Sequence, residues 1–381
     1  MKHATQVETL RKMFKLREVD RDEDMLGRVV QVPASVYMDN DVLERELDTA
    51  FRDYPLVVGA STQVREPGSY LLSPWDRLPF VVVRDKGGEL RAFLNVCRHR
   101  GARLVSGNEQ ELKFFTCPFH GWVYGLDGEL KGVTKPHNFP DLDCAKHKLV
   151  ELAVTERSGL VWLHPTPGAA IDLDASLGAD MSDEIAGFKL DELSLHSRKV
   201  STLNANWKLL LKTYLERYHV PILHKHTIGP VFEKGVIAHF EHGLHIRIAA
   251  AKTNLMEAAA SDPQSWRILD YASVFYTLFP NTFLINHANI VSLNSFYPIA
   301  PDKTIWTHDM LYREADYAGE EGQATLAQRF GNIDAVFHRE DFGIVEGVQA
   351  GLRCGANPQH TLGLEEGLLG MFQHNIDRVT G

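Results

Sequence analysis

Cysteine is scarce in this chain, which has four among 381 residues. Two of the four belong to a metal-binding pattern described below, and the other two, Cys144 and Cys354, are too few for a disulfide framework. Long apolar runs are also lacking, and residues 1–27 are charged throughout. We therefore expect a cytoplasmic protein in a reducing compartment, with neither a membrane-spanning helix nor a secretory leader.

An excess of positive charge is missing as well. The formal net charge is −10, which argues against nucleic acid as a partner because phosphates are bound by lysine and arginine. No Gly-x-Gly-x-x-Gly fingerprint follows a strand pattern, so the chain is not expected to bind a dinucleotide itself. The composition, 44% hydrophobic and 24% charged, is that of a globular protein, and the length fits two domains.

Two cysteines and two histidines form the most informative pattern that is present. Cys97-x-His99 is followed, after a long gap, by Cys117-x-x-His120. A Rieske [2Fe–2S] centre needs this donor set, since two thiolates hold one iron and two imidazoles hold the other. A structural zinc ion is the alternative, because the same four side chains satisfy its tetrahedral geometry.

The residues around this pattern help to decide between a [2Fe–2S] cluster and a zinc ion. Gly101, Pro118 and Gly121 supply tight turns that let backbone amides point toward cluster sulfurs. Residues 95–101 and 117–122 closely resemble the two cluster-binding loops of Rieske proteins. The resemblance favours a [2Fe–2S] cluster, held by the two cysteines and two histidines, over zinc.

The N-terminal segment, residues 1–54, is expected to be helical. Asp41 and Glu44 have the spacing of a capping box, and apolar residues follow at helical spacing: Leu43, Leu47 and Phe51. Residues 55–167 contain short runs rich in valine, phenylalanine and leucine, punctuated by glycine and proline, as in 79–84 and 158–164. That pattern predicts a small all-β domain containing the Cys/His pattern.

Residues 168–381 have a mixed pattern. An irregular stretch, 165–191, leads into it. Helical patterns cover 206–223, 325–353 and 362–378, and alternating strand patterns cover 240–251 and 271–312. Helices that stand apart from an antiparallel sheet predict an α+β domain.

A second site is predicted between Asn206 and His224. Glu216 and His219 lie three residues apart on one face of the predicted helix, and Pro221 breaks that helix so that His224 turns beside His219. Two imidazoles and one carboxylate from elsewhere would hold non-haem Fe(II) with open positions for oxygen and substrate. Taken alone, the two histidines are equally compatible with a structural role.

This stretch, following a Rieske pattern, resembles the mononuclear iron site of Rieske non-haem iron oxygenases, the terminal components of ring-hydroxylating and related systems. In that family Asn-Trp-Lys precedes an acid that stands three residues before His-x-x-x-x-His. Glu216, His219 and His224 match the pattern, whereas His226 misses the four-residue gap.

The resemblance extends to residues 339–349, where the family's third iron ligand corresponds to Asp341. The adjacent Glu340 is an alternative ligand, and Asp341 is also compatible with being an exposed acid on a helix that binds no metal. The resemblance implies an N-terminal all-β Rieske domain over 55–167 and an α+β helix-grip catalytic domain with an antiparallel sheet over 168–381, on which residues 1–54 pack. It also implies a [2Fe–2S] cluster, a mononuclear Fe(II) and dioxygen as co-substrate.

The implied function is that of a terminal oxygenase, which takes electrons from NAD(P)H through a separate reductase, with or without a ferredoxin. We expect hydroxylation or dihydroxylation of a small aromatic substrate. The alternatives are oxidation of an N-methyl, O-methyl or quaternary ammonium group, and a Rieske electron carrier without oxygenase activity. Several aromatic residues are candidates for a substrate pocket or for plain core: Phe275, Tyr276, Phe279, Phe283 and Phe296.

By the same resemblance, Glu216 bridges His219 to the cluster ligand His120 of a neighbouring subunit, so we expect a homotrimer. Two departures bear on the substrate. The bridging acid is glutamate, as in some oxygenases that attack quaternary amines, and Lys212-Thr213 replaces an acid-Asn pair found in many members.

Overall fold

The computed structural model describes residues 1–19, 27–107, 111–287 and 289–381. The remaining residues lie outside the described ones, and each of the three predicted segments contains some of them. The chain divides into two compact units. One consists of Phe51–Leu173 with Leu190–Glu192, and the other of Met1–Ala50, Asp174–Lys189 and Leu193–Gly381. Among the described residues, no helix combines the length and the apolar character needed to cross a bilayer.

The described residues contain ten α-helices and nineteen strands. The helices are α1 His3–Glu18, α2 Asn40–Asp48, α3 Leu173–Ala186, α4 Trp207–Lys212, α5 Val220–Leu223, α6 Leu255–Ala259, α7 Ile268–Tyr271, α8 Gly319–Ala335, α9 Gly343–Arg353 and α10 Gly367–Thr380. The strands are β1 Val30–Pro33, β2 Leu56–Ala60, β3 Tyr70–Leu72, β4 Phe80–Arg84, β5 Leu90–Leu94, β6 Phe115–Thr116, β7 Val123–Tyr124, β8 Leu130–Gly132, β9 Glu151–Leu152, β10 Val154–Arg157, β11 Leu160–Leu163, β12 Ser194–Leu203, β13 Phe232–His242, β14 His245–Lys252, β15 Ala272–Leu278, β16 Thr282–Asn286, β17 Ile290–Ala300, β18 Lys303–Tyr312 and β19 Gln359–Leu362.

The unit containing Phe51–Leu173 is built from three small antiparallel sheets. Their strand orders are β10-β11-β2, β3-β4-β5-β9 and β6-β7-β8. The first Cys/His pair follows β5, and the second lies in the connection between β6 and β7. The sheets therefore carry both loops of the pattern on an all-β scaffold, as predicted.

The other unit is organised around one seven-stranded antiparallel sheet of order β12-β18-β17-β16-β15-β14-β13. The sequential order of β13 to β18 reflects a run of hairpins, which antiparallel strands allow because short turns can join them. Helices α8 and α9 follow the sheet in sequence and are separated by a π-helical segment, Val336–Phe342. The predicted combination of an all-β domain and an α+β domain is confirmed.

Several local predictions differ from the structure. Helix α2 is capped by Asp39, whose side chain accepts a hydrogen bond from the Asp41 amide, and the helix ends before Phe51. The capping-box assignment to Asp41 was therefore wrong by two residues, since Asp39 offers the same acceptor earlier. The stretch predicted to be irregular contains α3, a helix interrupted at Gly178.

A buried ion pair anchors α4 to α2. Lys208 Nζ contacts Glu46 Oε1, and both side chains are almost fully buried. The Trp207 indole donates to Glu46 Oε2 at 2.8 Å, so the carboxylate has acceptor roles on both oxygens. Next along the helix, Lys212 donates to Tyr37 and Gln373, and burial lowers its pKa to about 7. The lysine of the Asn-Trp-Lys motif thus has a structural partner.

We expect Glu46→Ala to lower the free energy of unfolding by about 3–5 kcal/mol, because it leaves the Lys208 ammonium buried without a counter-charge. Urea unfolding followed by tryptophan fluorescence measures the change. The matched control is Glu46→Leu combined with Lys208→Met, which removes both charges and leaves only the Trp207 N–H without its acceptor. This double variant should regain most of the lost stability; a double variant as unstable as Glu46→Ala would show that the charge is not the cause.

Candidate functional site

His219 and His224 flank a single helical turn. Helix α4 ends at Lys212, residues 213–219 form turns, and α5 begins at Val220 with Pro221 in its first turn. The predicted continuous helix was therefore wrong, and Pro221 starts a helix rather than breaking one, because its missing N–H has no partner in a first turn anyway. The amide of His224 donates to the Val220 carbonyl at 3.1 Å, which brings His224 back beside His219.

Asp341 reaches the two histidines from the π-helical segment between α8 and α9. Such wider turns occur frequently at functional sites. Asp341 Oδ1 lies 3.0 Å from His224 Nε2 and 3.6 Å from His219 Nε2. One candidate ligand atom from each of the three residues lies within 4.8 Å of the others.

The hydrogen-bonding pattern of this group fits a cation. Asp341 Oδ1 is buried and accepts no directed hydrogen bond from the described part of the chain. Each histidine uses Nδ1 in a contact with another carboxylate, which leaves both Nε2 atoms facing the Asp341 oxygen. Imidazole lone pairs and a carboxylate oxygen repel one another unless a positive charge lies among them. Two imidazoles and one carboxylate are the donor set of non-haem Fe(II) sites.

Glu216 and Glu340 orient the two imidazoles. Glu216 Oε1 accepts from His219 Nδ1, and its Oε2 accepts from the His219 amide at 3.2 Å. Glu340 Oε2 lies 2.5 Å from His224 Nδ1 and also accepts from Thr227 Oγ1 at 2.8 Å. Carboxylates that hold the remote N–H of a ligand histidine fix its tautomer and ring orientation.

The charges of this group shift its protonation equilibria. Burial alone would raise the pKa of Glu340, but hydrogen bonds from His224 and Thr227 lower it. Burial alone would lower the pKa of His224, but the Asp341 and Glu340 carboxylates raise it. Glu340, considered from the sequence only as a neighbour of Asp341, is therefore a functional candidate in its own right. Its position next to Asp341 on a helix was the available signal.

A cavity of about 670 Å³ opens beside the triad. Its aromatic walls include Tyr214, Phe275, Phe283 and Phe337. Tyr214 stacks on Phe283 with ring centroids 4.7 Å apart, and Phe283 stacks on Phe275 at 5.9 Å. The other aromatic candidates are buried and do not line this cavity: Tyr276, Phe279 and Phe296. Of the unusual Lys212-Thr213 pair, Thr213 lines the cavity.

The two Cys/His loops have matching backbone turns. Gly101 N donates to the Cys97 carbonyl at 2.9 Å, and Gly121 N donates to the Cys117 carbonyl at the same distance. Both glycines have positive φ, 80° and 68°, a conformation that side chains disfavour. The sequence assigned turn roles to these glycines, and the structure places one in each loop.

The four predicted cluster ligands lie close together. Cys97 and Cys117 are buried, and the rings of His99 and His120 have centroids 4.8 Å apart. Trp122 stacks on His99 at 4.8 Å, and within the described residues the buried His99 Nδ1 has no hydrogen-bond partner. Paired loops that each present one thiol and one imidazole fit a [2Fe–2S] cluster with one iron per ligand type.

Tyr124 is a residue of the candidate cluster site that the sequence analysis did not identify. Its hydroxyl lies 3.4 Å from Cys97 Sγ and accepts from the Arg98 amide at 3.0 Å. Burial raises the pKa of the Cys97 thiol, while the Tyr124 contact works in the opposite direction. A hydroxyl beside a cluster sulfur is the kind of hydrogen bond that tunes cluster potential.

Comparisons with known proteins match both parts of the chain. Residues 55–149 match the Rieske [2Fe–2S] domain family, and residues 190–381 match the ring hydroxylating alpha subunit catalytic domain family. The carnitine monooxygenase oxygenase subunit of Escherichia coli (strain K12) is 28% identical over 356 residues, covering 91% of this chain and 90% of that protein. The chloroplastic choline monooxygenase of Spinacia oleracea is 27% identical over 355 residues, covering 88% of this chain and 75% of that protein.

The fold also has a solved counterpart. The structure of a quaternary ammonium Rieske monooxygenase, reported for carnitine oxidation and inter-subunit electron transfer, has a TM-score of 0.80 at 24% identity. The likeness covers 92% of this chain and 95% of that chain. It extends through both units of the fold.

The Glu340 contact generates a prediction about metal affinity. Glu340→Gln keeps the side-chain volume but weakens the acceptor for His224 Nδ1, so we expect Fe(II) affinity at the triad to fall by about 10–100-fold. Anaerobic iron titration of metal-stripped protein measures it, with Glu320→Gln, an exposed acid on α8, as the matched control. Unchanged affinity in an intact Glu340→Gln protein would remove Glu340 from the site.

Proposed function

Because the chain belongs to the ring hydroxylating alpha subunit family, we propose that it is the terminal oxygenase of a monooxygenase system acting on a quaternary ammonium compound. It is a Rieske non-haem iron oxygenase, and its cofactors are a [2Fe–2S] cluster and a mononuclear iron, with dioxygen as co-substrate. An electron carrier without oxygenase activity is excluded, since a carrier has no use for an open iron site.

The observation that carries the substrate class is the extent of the sequence similarity. Carnitine and choline monooxygenases match about nine-tenths of the chain, across both units. Both names describe substrates with a quaternary ammonium group. This similarity supports the alternative drawn from the sequence over the aromatic substrate expected first, and Glu216 as the bridging acid agrees with it.

We assign the ligands residue by residue. Cys97 and Cys117 bind one cluster iron, and His99 and His120 bind the other. The ligands that we assign to the mononuclear iron are His219, His224 and Asp341. The geometric support is the convergence of these three on one point with both Nδ1 atoms already held by carboxylates.

The cavity walls provide the contacts that a bulky organic cation needs. Aromatic faces attract quaternary ammonium groups without requiring a hydrogen-bond acceptor. Among the aromatic residues that line the cavity, Tyr214 is the nearest in sequence to the histidines, and its buried hydroxyl has no hydrogen-bond partner among the described residues. Stacking on Phe283 fixes its ring, so the walls can hold the cation next to the triad.

The overall reaction balances with an external electron donor. One oxygen atom enters a C–H bond of the substrate and the other leaves as water. NAD(P)H supplies two electrons and one proton through a separate reductase, and the solvent supplies the second proton. When bound, the mononuclear iron supplies open coordination positions for dioxygen. The role of the protein side chains is to orient His219 and His224, place the substrate and keep bulk water out of the cavity.

We also propose assembly into a trimer in which Glu216 links the iron of one copy to the cluster of the next. Exposed apolar side chains surround both ends of this path: Tyr218 and Ile222, 70% and 75% exposed, lie near Glu216, and Phe119, 57% exposed, adjoins His120. Arg100 lies over the Phe119 ring at 5.1 Å. Two different exposed apolar patches on each copy suit the head-to-tail contacts of a closed ring.

A substrate panel tests the proposed function. The purified oxygenase, combined with an NADH-dependent reductase, is supplied with trimethylammonium compounds and with monocyclic and bicyclic arenes. We expect NADH consumption coupled to a product containing one added oxygen atom for a trimethylammonium compound, seen by mass spectrometry with ¹⁸O₂. Oxygenated arenes together with unreacted trimethylammonium compounds would overturn the proposal.

A further inference from the structure

The two candidate cluster histidines have different surroundings. His120 lies against Phe119, which is 57% exposed, with ring centroids 3.8 Å apart. His99 is enclosed by aromatic rings, since Trp122 stacks on it at 4.8 Å and Phe139 lies perpendicular to it at 5.8 Å. The two ligand rings therefore have different neighbours between the cluster site and solvent.

A loop between β8 and β9, residues 133–148 and here called the cover loop, lies over the His99 side. Phe139 from its first half packs on both His99 and Trp122. His147 from its second half lies 6.1 Å from the Trp122 ring. One layer of aromatic rings thus separates His99 from the exposed part of the loop. Because electron transfer slows steeply with distance, a redox carrier that lies on this loop is well placed to reduce the cluster.

The cover loop is positively charged, although the formal net charge of the whole chain is −10. It contains three lysines and two aspartates, and all five are exposed. Asp143 is engaged within the loop, where it accepts from the Ala145 amide at 3.1 Å and pairs with Lys146 at 3.5 Å. Lys135 and Lys148 make no ion pair with the described residues, so both ammonium groups remain for a partner that carries carboxylates.

The loop that carries His99 adds positive charge next to the cover loop. Residues 97–103 contain three arginines and no acid. Arg103 pairs with Asp76 at 2.6 Å, whereas Arg98 and Arg100 have no ion-pair partner in the part of the chain that the structure describes. In the two loops together, the unpaired cations therefore outnumber the unpaired acid, Asp141. A carrier with an acidic surface complements this charge.

Lys135 is held in an unusual backbone conformation. Its φ is 54°, in the left-handed region that glycine adopts freely and that a side chain disfavours. It directly precedes the short turn Pro136–Asn138, which leads into Phe139. Strained backbone of this kind clusters at functional sites. Glycine would relax this backbone, so the lysine stands there at a cost to stability.

We propose that the cover loop is the docking surface for the electron donor, an acidic one-electron carrier whose carboxylates contact Lys135 and Lys148. The docked carrier is oxidised by one electron and one cluster iron is reduced from Fe(III) to Fe(II), with no bond made or broken. Electrons thus enter on the His99 side and leave on the His120 side. The inference rests on the proposed function, to which it adds the place and the chemistry of the partner.

The probe for the test is an acidic plant-type [2Fe–2S] ferredoxin. Its reduced form has a lower potential than a Rieske cluster, so electron transfer to the oxygenase is favourable. Binding is measured by calorimetry at low and at physiological ionic strength. Reduction of the oxygenase cluster is followed anaerobically by electron paramagnetic resonance of freeze-quenched samples, which distinguishes the two kinds of cluster. No substrate is present, so neither measurement depends on substrate identity.

The test variant combines Lys135→Glu with Lys148→Glu. Its matched control combines Lys86→Glu with Lys113→Glu, two exposed lysines that give the same change in net charge. Lys86 lies in the turn between β4 and β5, at the opposite end of β5 from Cys97. A third protein carries Lys135→Gly alone. Each preparation is checked for cluster absorbance and for its thermal unfolding temperature.

We expect the wild type to bind the ferredoxin more weakly as ionic strength rises, because salt screens exposed charges. The double variant at Lys135 and Lys148 should raise Kd by about 10–100-fold and slow bimolecular reduction of the cluster to a similar extent, while the control changes both by less than about threefold. Lys135→Gly should raise Kd by about threefold to tenfold without lowering the unfolding temperature, since glycine relieves the strained φ. A merely structural lysine would not produce that combination.

Cys144 gives a footprint of the docked carrier on the wild-type protein. It lies in the cover loop and is exposed, and Cys354, exposed in the other unit, is the internal control. Bound ferredoxin should slow the alkylation of Cys144 by at least about threefold and leave Cys354 unchanged, as measured by mass spectrometry of the peptides. This readout requires no turnover and no substituted protein.

The outcomes separate this inference from the proposed function. If the ferredoxin does not bind at low ionic strength, if the test and control variants behave alike, or if Cys144 reacts equally fast in the complex, the cover loop is not the docking surface, although the proposed function stands. If docking and cluster reduction behave as expected but the substrate panel yields only oxygenated arenes, the proposed function fails and the docking surface stands. The Cys144 footprint remains decisive even if a variant does not fold.

Discussion

The structure depends on holding two imidazoles with their Nε2 atoms facing one carboxylate oxygen. Without a cation, that arrangement places electron-rich atoms 3.0 Å and 3.6 Å apart in a buried site. Glu216 and Glu340 make it possible by engaging the opposite ring nitrogens. The one-turn helix α5 and the π-helical turn that carries Asp341 are the backbone features that bring these residues together.

The chemistry was more predictable from the sequence than the local backbone. Metal ligands must be of particular residue types at short spacings, so the two Cys/His pairs and the Glu216/His219/His224 spacing were visible directly. The helix predicted through residues 213–219 was wrong, because apolar spacing does not distinguish a helix from successive turns that bury the same residues. Asp341 needed the family pattern, since a single acid on a helix has no local signature.

Other contributors depend on tertiary contacts that no local pattern encodes. Tyr124 reaches Cys97 from a strand that follows the second loop. Tyr214, in the turn after α4, forms part of the cavity wall by stacking on Phe283 of β16. Both are ordinary residues in the sequence, and their significance comes from what the fold places beside them.

The proposed function requires electrons to pass from the cluster to the mononuclear iron, and we propose Glu216 as the link between these two sites. The most direct test co-expresses a chain carrying His120→Ala, which lacks a working cluster, with a chain carrying Asp341→Ala, which lacks a working mononuclear site. Each variant alone should be inactive, and mixed assemblies should regain a measurable fraction of substrate oxidation because an intact cluster of one copy meets an intact iron site of another. If both variants fold and assemble together without any turnover, electrons do not pass between copies and the account is contradicted.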